Sequence, residues 1–234
     1  MAGGTVEIPA NRKEMTSDPA LTCWTLIHDA AAGDATARDR FARLYEPVVR
    51  AYLGNRWKQS THSADDAVQD VFVELFKPGG ALGKVEADRD GGFRAFLYGV
   101  VRNVAMRHES LRPIANPLPS DHPDSETSLA AAFDKAWATT LLREAARLQR
   151  ETAAQAGEKA LKRVELLQLR FQRGLPIREI AAEWNEDAAK LHHEYATAKE
   201  EFRTALRSVV AFHQPTATPG EIDRACGELI GLLR

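Results

Sequence analysis

Apolar residues recur along most of this chain at the 3.6-residue period of an amphipathic helix, and glycines and prolines cut the pattern into segments. Leu21, Trp24, Ile27, His28 and Ala31 run at helical spacing up to Gly33, after Asp18-Pro19, which reads as a cap with proline at the first helical position. His28 is expected to be a packed residue there, since nothing nearby has metal-ligand spacing. Phe41, Leu44, Tyr45, Val48, Val49 and Tyr52 mark a second helix over about 36–57, with a kink expected at Pro47. Ala67, Val68, Val71, Phe72, Leu75 and Phe76 mark a third, with Ser63 and Asp66 as a capping box and Pro78-Gly79-Gly80 as its stop. A polar, glycine-rich loop from Gly79 to Gly92 precedes a fourth stripe: Phe93, Phe96, Leu97, Val100, Val101, Val104 and Ala105.

The pattern lapses at residues 113–128, which hold four of the eleven prolines together with Asp121, Asp124 and Glu126. Such a stretch is extended and builds no core, so it reads as a linker. Beyond it, Phe133, Trp137, Leu141, Ala145 and Leu148 mark a long helix broken at Gly157. Val164, Leu167 and Phe171 mark the next, ending at Gly174. Ile177, Ile180, Ala181 and Trp184 mark a short helix. After the turn Asn185-Glu186-Asp187, a longer stripe follows: Leu191, Tyr195, Ala198, Phe202, Leu206 and Val209. Short helix, tight turn and longer helix make a helix-turn-helix pattern. A last helix opens at Thr218-Pro219-Gly220-Glu221 and is expected to pack on its own domain through Ile222, Ala225, Cys226, Leu229, Ile230 and Leu233. The expected fold is all-α. A tail (1–16), a helical domain (17–112), the linker (113–128), a helix-turn-helix domain (129–210) and a C-terminal amphipathic helix (211–234) divide the chain.

Composition narrows the class. The 234 residues carry a net charge of −2, so any nucleic-acid binding must come from local patches. Cys23 and Cys226 are far apart and read as buried thiols of a reducing cytosol. No run approaches the ~20 apolar residues of a membrane span, and the N-terminus lacks a signal-peptide pattern, so a cytoplasmic protein is expected.

Two helices carry the candidate chemistry. The third presents Asp66, Gln69, Asp70, Val73 and Glu74 opposite its apolar stripe, a face that reads as solvated or as a partner surface. The fourth places Arg94, Tyr98 and Arg102 at i, i+4 and i+8, flanked by Asn103, Arg107 and His108. Arginine tracks phosphate and an aromatic ring stacks an unpaired base, so this face suits single-stranded nucleic acid.

Taken together, Asp65-Asp66-x-x-Gln69-Asp70-x-Phe72-x-x-Leu75-Phe76 and Phe93-Arg94-x-Phe96-Leu97-Tyr98-x-x-x-Arg102-Asn103 resemble the second domain of the extracytoplasmic-function (group four) sigma factors. These small bacterial initiation factors bring RNA polymerase to promoters. The resemblance covers about residues 21–112. It implies core-polymerase contacts from Asp66, Gln69, Asp70, Phe72 and Glu74. Minus-ten contacts fall to Arg94, Phe96, Tyr98, Arg102, Asn103 and Arg107, with the glycine-rich loop receiving a flipped base.

Residues 166–181 resemble the fourth sigma domain, which implies minus-thirty-five contacts from Arg178, Lys190, His192, His193, Thr197 and Lys199. The preceding stretch, Phe133 to Leu169, is longer than usual and resembles planctomycete-type variants. Glu194, Glu200 and Glu201 depart from the basic recognition helix of the family, and Glu194 is expected to repel phosphate. The alternative is therefore a sigma-derived interaction module with weakened DNA reading. The implied partners are core RNA polymerase, promoter DNA and an anti-sigma factor, with no membrane. No catalytic residues, cofactor or metal site are expected, since His192-His193-Glu194 lacks the i, i+4 histidine spacing of a helical zinc site.

Overall fold

The computed structural model describes residues 23–57, 64–86, 91–111 and 126–233. The expected tail, the Asp18-Pro19 and Ser63 caps, Leu21 and most of the 113–128 linker lie outside them. The described residues form helices and no strands, as the periodicity predicts. The order is α1 (Cys23–Ala32), α2 (Ala35–Arg56), α3 (Ala64–Phe76), a single 3₁₀ turn (Ala81–Lys84), α4 (Gly92–Ser110), α5 (Glu126–Ala156), α6 (Glu158–Gln172), α7 (Ile177–Trp184), α8 (Ala188–His213) and α9 (Pro219–Gly231).

Local chemistry sets the ends. Asp34 caps α2 by accepting from the Ala37 amide at 2.6 Å, and Asp187 caps α8 by accepting from the Lys190 amide at 2.8 Å. The expected capping box of Thr218 and Glu221 opens α9 behind Pro219. Gly80 has no room for a side chain: a Cβ there would lie 2.7 Å from the carbonyls of Glu74 and Lys77, so glycine is required where the chain leaves α3. Arg38 joins three helices, donating to the Ala30 carbonyl at 2.9 Å and the Phe76 carbonyl at 3.0 Å. It thereby satisfies exposed carbonyls at the ends of α1 and α3. Pro47 lies within α2 on the exposed side, where water can satisfy the carbonyl left without a donor.

Three stripes differ from expectation: in α6 Phe171 is 71% exposed while Leu166 and Leu169 turn inward, at the end of α9 Ile230 and Leu233 are exposed, and α1 turns a different side to the core. In α1 the buried residues are Cys23, Leu26, Ile27 and Ala30, while Trp24 is half-buried and His28 is exposed rather than packed. The helix is apolar on several sides, so spacing alone did not fix which side turns inward.

α2 is the centre of the fold. α1, α3 and α4 cover one side of it, and α5 lies along the other. Phe41, Tyr45, Val48, Val49, Tyr52 and Leu53 are fully buried as a result. The Tyr45 ring stacks on Trp137 of α5, with centroids 5.7 Å apart and planes 12° apart. Phe133 of α5 meets Tyr52 and Tyr98 edge-on, at 6.3 and 5.2 Å. Leu129, Phe133, Trp137, Leu141 and Ala145 therefore join the same buried cluster as the α1–α4 residues, and Cys226 and Leu229 of α9 join it too. Both cysteines are free and buried. A smaller cluster of Leu166, Leu169, Ile177, Ile180, Ala181 and Leu191 holds α6, α7 and the start of α8. Buried Gln149 donates to the Ala198 carbonyl at 2.9 Å and ties α5 to α8.

His213, at the end of α8, closes the seam between α2 and α5. Its Nδ1 lies 2.8 Å from the Val209 carbonyl and its Nε2 lies 3.3 Å from the Tyr45 hydroxyl. A carbonyl only accepts, so Nδ1 carries the proton and Nε2 accepts from Tyr45. Burial pushes the imidazole down from 6.5 to about 4. An unfolded chain protonates this group below its ordinary value, whereas the folded chain resists until about pH 4. Stability is thus fully present above pH 6.5 and is lost as pH falls towards 4, by about 3 kcal/mol at most. Urea unfolding across this window should show the loss in the native protein and a flatter profile in His213→Gln.

Candidate polymerase and nucleic-acid interface

Helices α3 and α4 lie side by side, and charge bridges cross between them. Asp70 meets His108 at 2.7 Å. Glu74 meets Lys77 at 2.9 Å and Arg107 at 3.3 Å, and these cations, Lys77 foremost, hold its carboxyl below the usual range. Two of the expected polymerase-contacting acids are therefore turned sideways towards basic partners. Phe72 is half-buried against Phe76. Asp66 and Gln69 remain exposed. Between them and the next turn stands Val73, which is 54% exposed. It was not among the expected contacts, although it is an apolar residue out of phase with the α3 stripe.

The expected minus-ten set divides three ways. Phe96 is buried beside Phe93, so its ring packs the core and is not presented to a base. Arg94 forms an ion pair with Asp134 of α5, and Tyr98 lies against Tyr52 and Phe133. Asn103 and Arg107 are exposed, with half-buried Arg102 beside them and exposed Met106, also outside the expected set, on the same side. At the far end, Arg56 forks onto both oxygens of Glu109, at 2.7 and 3.0 Å, and the Trp57 indole donates to the same carboxylate at 2.9 Å. This locks the end of α2 to the end of α4.

Residues 41–109 match the Sigma-70 region 2 family. The match runs from Phe41 in α2 to Glu109 in α4, under a third of the 234 residues. No curated protein matches the chain. The region 2 match supports a sigma-factor role in transcription initiation, with core RNA polymerase and promoter DNA as partners. Sigma factors are transcription factors, not enzymes. Among the described residues, no helix is long and apolar enough to cross a membrane, and no three His, Cys, Asp or Glu side chains group to hold a metal.

Beyond the region 2 segment, α7 and α8 meet at a turn in which Asn185 adopts a left-handed conformation, φ 51°. Arg178, Lys190, His192, His193 and Lys199 are exposed. Lys190 pairs with Glu186 at 2.7 Å, and Lys199 lies over the Tyr195 ring at 4.9 Å. Thr197 is half-buried and donates to the His193 carbonyl at 3.2 Å.

Glu194 is placed differently from the expectation of phosphate repulsion. Its side chain is only 16% exposed and faces α6, meeting Lys159 at 3.0 Å and Arg163 at 3.5 Å. Arg163 also binds Glu201 at 2.5 Å. The two acids are consumed in holding α8 on α6. The exposed side of α8 is mixed in charge, with Glu200 paired to Arg203 at 2.7 Å. Removing Arg163 would strand the half-buried Glu201 carboxylate, whose Oε2 is already without a hydrogen-bond partner, and would leave Glu194 with Lys159 alone. Arg163→Ala should cost about 1–3 kcal/mol in urea unfolding. Lys159→Ala, at a largely exposed side chain, should stay within about 0.5 kcal/mol.

Proposed function

We propose that this protein is an alternative sigma factor of the extracytoplasmic-function type. It docks core RNA polymerase with the outward face of α3, holds single-stranded minus-ten DNA along α4, and places α7–α8 on upstream duplex as a helix-turn-helix. It works in the cytoplasm, beside the polymerase. The observation that carries this reading is the region 2 match over 41–109, whose helices present two chemically distinct faces. Asp66 and Gln69 flank an exposed valine on α3, an apolar anchor within a polar rim. Arg102, Asn103 and Arg107 line α4, where cations can follow a phosphate backbone.

The alternative, an interaction module with weakened DNA reading, rested on an acidic recognition helix. Glu194 and Glu201 face Arg163 rather than the outer side of α8, which favours the first reading, while Glu200 stays exposed. Arg178, Lys190, His192, His193 and Lys199 remain available to a duplex.

The test separates the two faces. Asp66→Lys with Val73→Asp should weaken co-purification with core polymerase at least about tenfold while helical content holds, since both sites are exposed. Reversing Asp70 or Glu74 tests this less cleanly, because both also bridge to α4. Asn103→Ala, at an exposed position of α4, should leave polymerase binding intact and reduce permanganate-detected strand opening. Normal opening in that variant would remove α4 from the nucleic-acid interface.

A further inference from the structure

The side of α4 that faces α5 carries Arg94 and Tyr98, one helical turn apart. Two adjacent residues of α5 sit on them. The Asp134 carboxylate pairs with the Arg94 guanidinium, and the Phe133 ring meets the Tyr98 ring at 5.2 Å and 74°. The carboxylate and the ring, which meets Tyr98 edge-on, occupy the two places where a nucleotide's phosphate and base would lie on this cation and aromatic. The same Phe133 also reaches Tyr52, so it is 1% exposed. A strand and α5 cannot share this surface.

We propose that the N-terminal part of α5 is an internal cover for the single-strand face of α4, with Phe133 standing in for a base and Asp134 for a phosphate. The proposal rests on the reading of α4 as a nucleic-acid face. Docking of α5 and binding of single-stranded DNA at Arg94 and Tyr98 then compete. The free protein holds single strands weakly, and displacement of the start of α5 exposes the rest of the face.

The two halves of the cover differ in strength. The Arg94–Asp134 pair is half-exposed, so its net contribution is small and salt-sensitive. The ring contacts are buried with Leu129 and resist opening. Competition therefore begins at Asp134, the side chain that can be altered without touching the core.

The experiment uses the full chain and fluorescence anisotropy of a fluorescein-labelled single strand of roughly 12 nucleotides at about 50 mM salt. Asp134→Ala should tighten binding about three- to fivefold. Phe133→Leu, which keeps an apolar side chain but removes the ring, should also tighten it. Asp39→Ala, at an exposed acid paired with Arg43 on α2, makes the same charge change elsewhere and should leave binding unchanged. In an Arg94→Ala background, Asp134→Ala should bring no gain. Equal tightening by Asp39→Ala, or a gain that survives without Arg94, would reduce the effect to net charge and overturn the cover.

Failure of the underlying reading has a different signature. Normal promoter opening by Arg94→Ala in the polymerase complex would remove Arg94 from the face, and the cover with it. Impaired opening by Arg94→Ala together with no tightening by Asp134→Ala would keep the face and sink the cover alone.

Discussion

The stacking of Tyr45 on Trp137 is the contact on which the rest of the fold depends, because it closes the second side of α2. Counted at 100° per residue, the buried positions of α2 from Ala37 to Leu53 span an arc of roughly 160°. A surface helix needs an apolar stripe of only about 100°. One layer of neighbours cannot cover the wider arc, so α2 must be packed from two directions. α1, α3 and α4 take one, and α5 takes the other with Leu129, Phe133 and Trp137. Each large side chain buried this way contributes roughly 1.5–3 kcal/mol. The His213 imidazole, kept neutral by the same burial, seals the end of the seam.

Charge follows the packing. Asp70 and Glu74 on α3 are drawn to His108 and Arg107 on α4. Glu194 and Glu201 on α8 are drawn to Arg163 on α6. In both places an acidic helix looks outward in sequence and proves to be partly spent on its neighbour. What remains for a partner is the residue set without such a bridge across helices: Asp66, Gln69 and Val73 on α3, and His192, His193 and Lys199 on α8. The electrostatic character of an interface is set by these leftovers, not by the composition of the helix.

The helices were legible because their signals are local. The Thr218–Glu221 box acts within three residues, and Gly157 and Gly174 interrupt strong periodic runs. The direction of single side chains was less so. The phase of α1 was lost because Cys23, Trp24, Leu26, Ile27 and Ala30 are apolar around most of the helix. The inward turn of Glu194 depends on Arg163, 31 residues earlier, which no spacing rule connects to it. Phe96 is the opposite case: its period already placed it in the core stripe, and only the family pattern drew it towards DNA. That α2 needs a second wall follows from the width of its apolar arc, but that α5 supplies the wall is a tertiary fact.

A helix that both completes a core and lies on a functional face couples stability to function. Uncovering Arg94 and Tyr98 by lifting all of α5 would expose Trp137 and Leu141 as well and is prohibitive for a protein of ordinary stability. Loss of the first turns alone gives up the burial of Leu129 and Phe133, roughly 3–6 kcal/mol. Helix ends open independently of the middle, so the Tyr45–Trp137 stack can hold while the start of α5 unwinds. A cost of that size lies within what a polymerase interface and a bound strand can jointly offset. The position of Phe133 and Asp134, one helical turn before Trp137, is therefore where a cover must sit if it is to open without unmaking the fold.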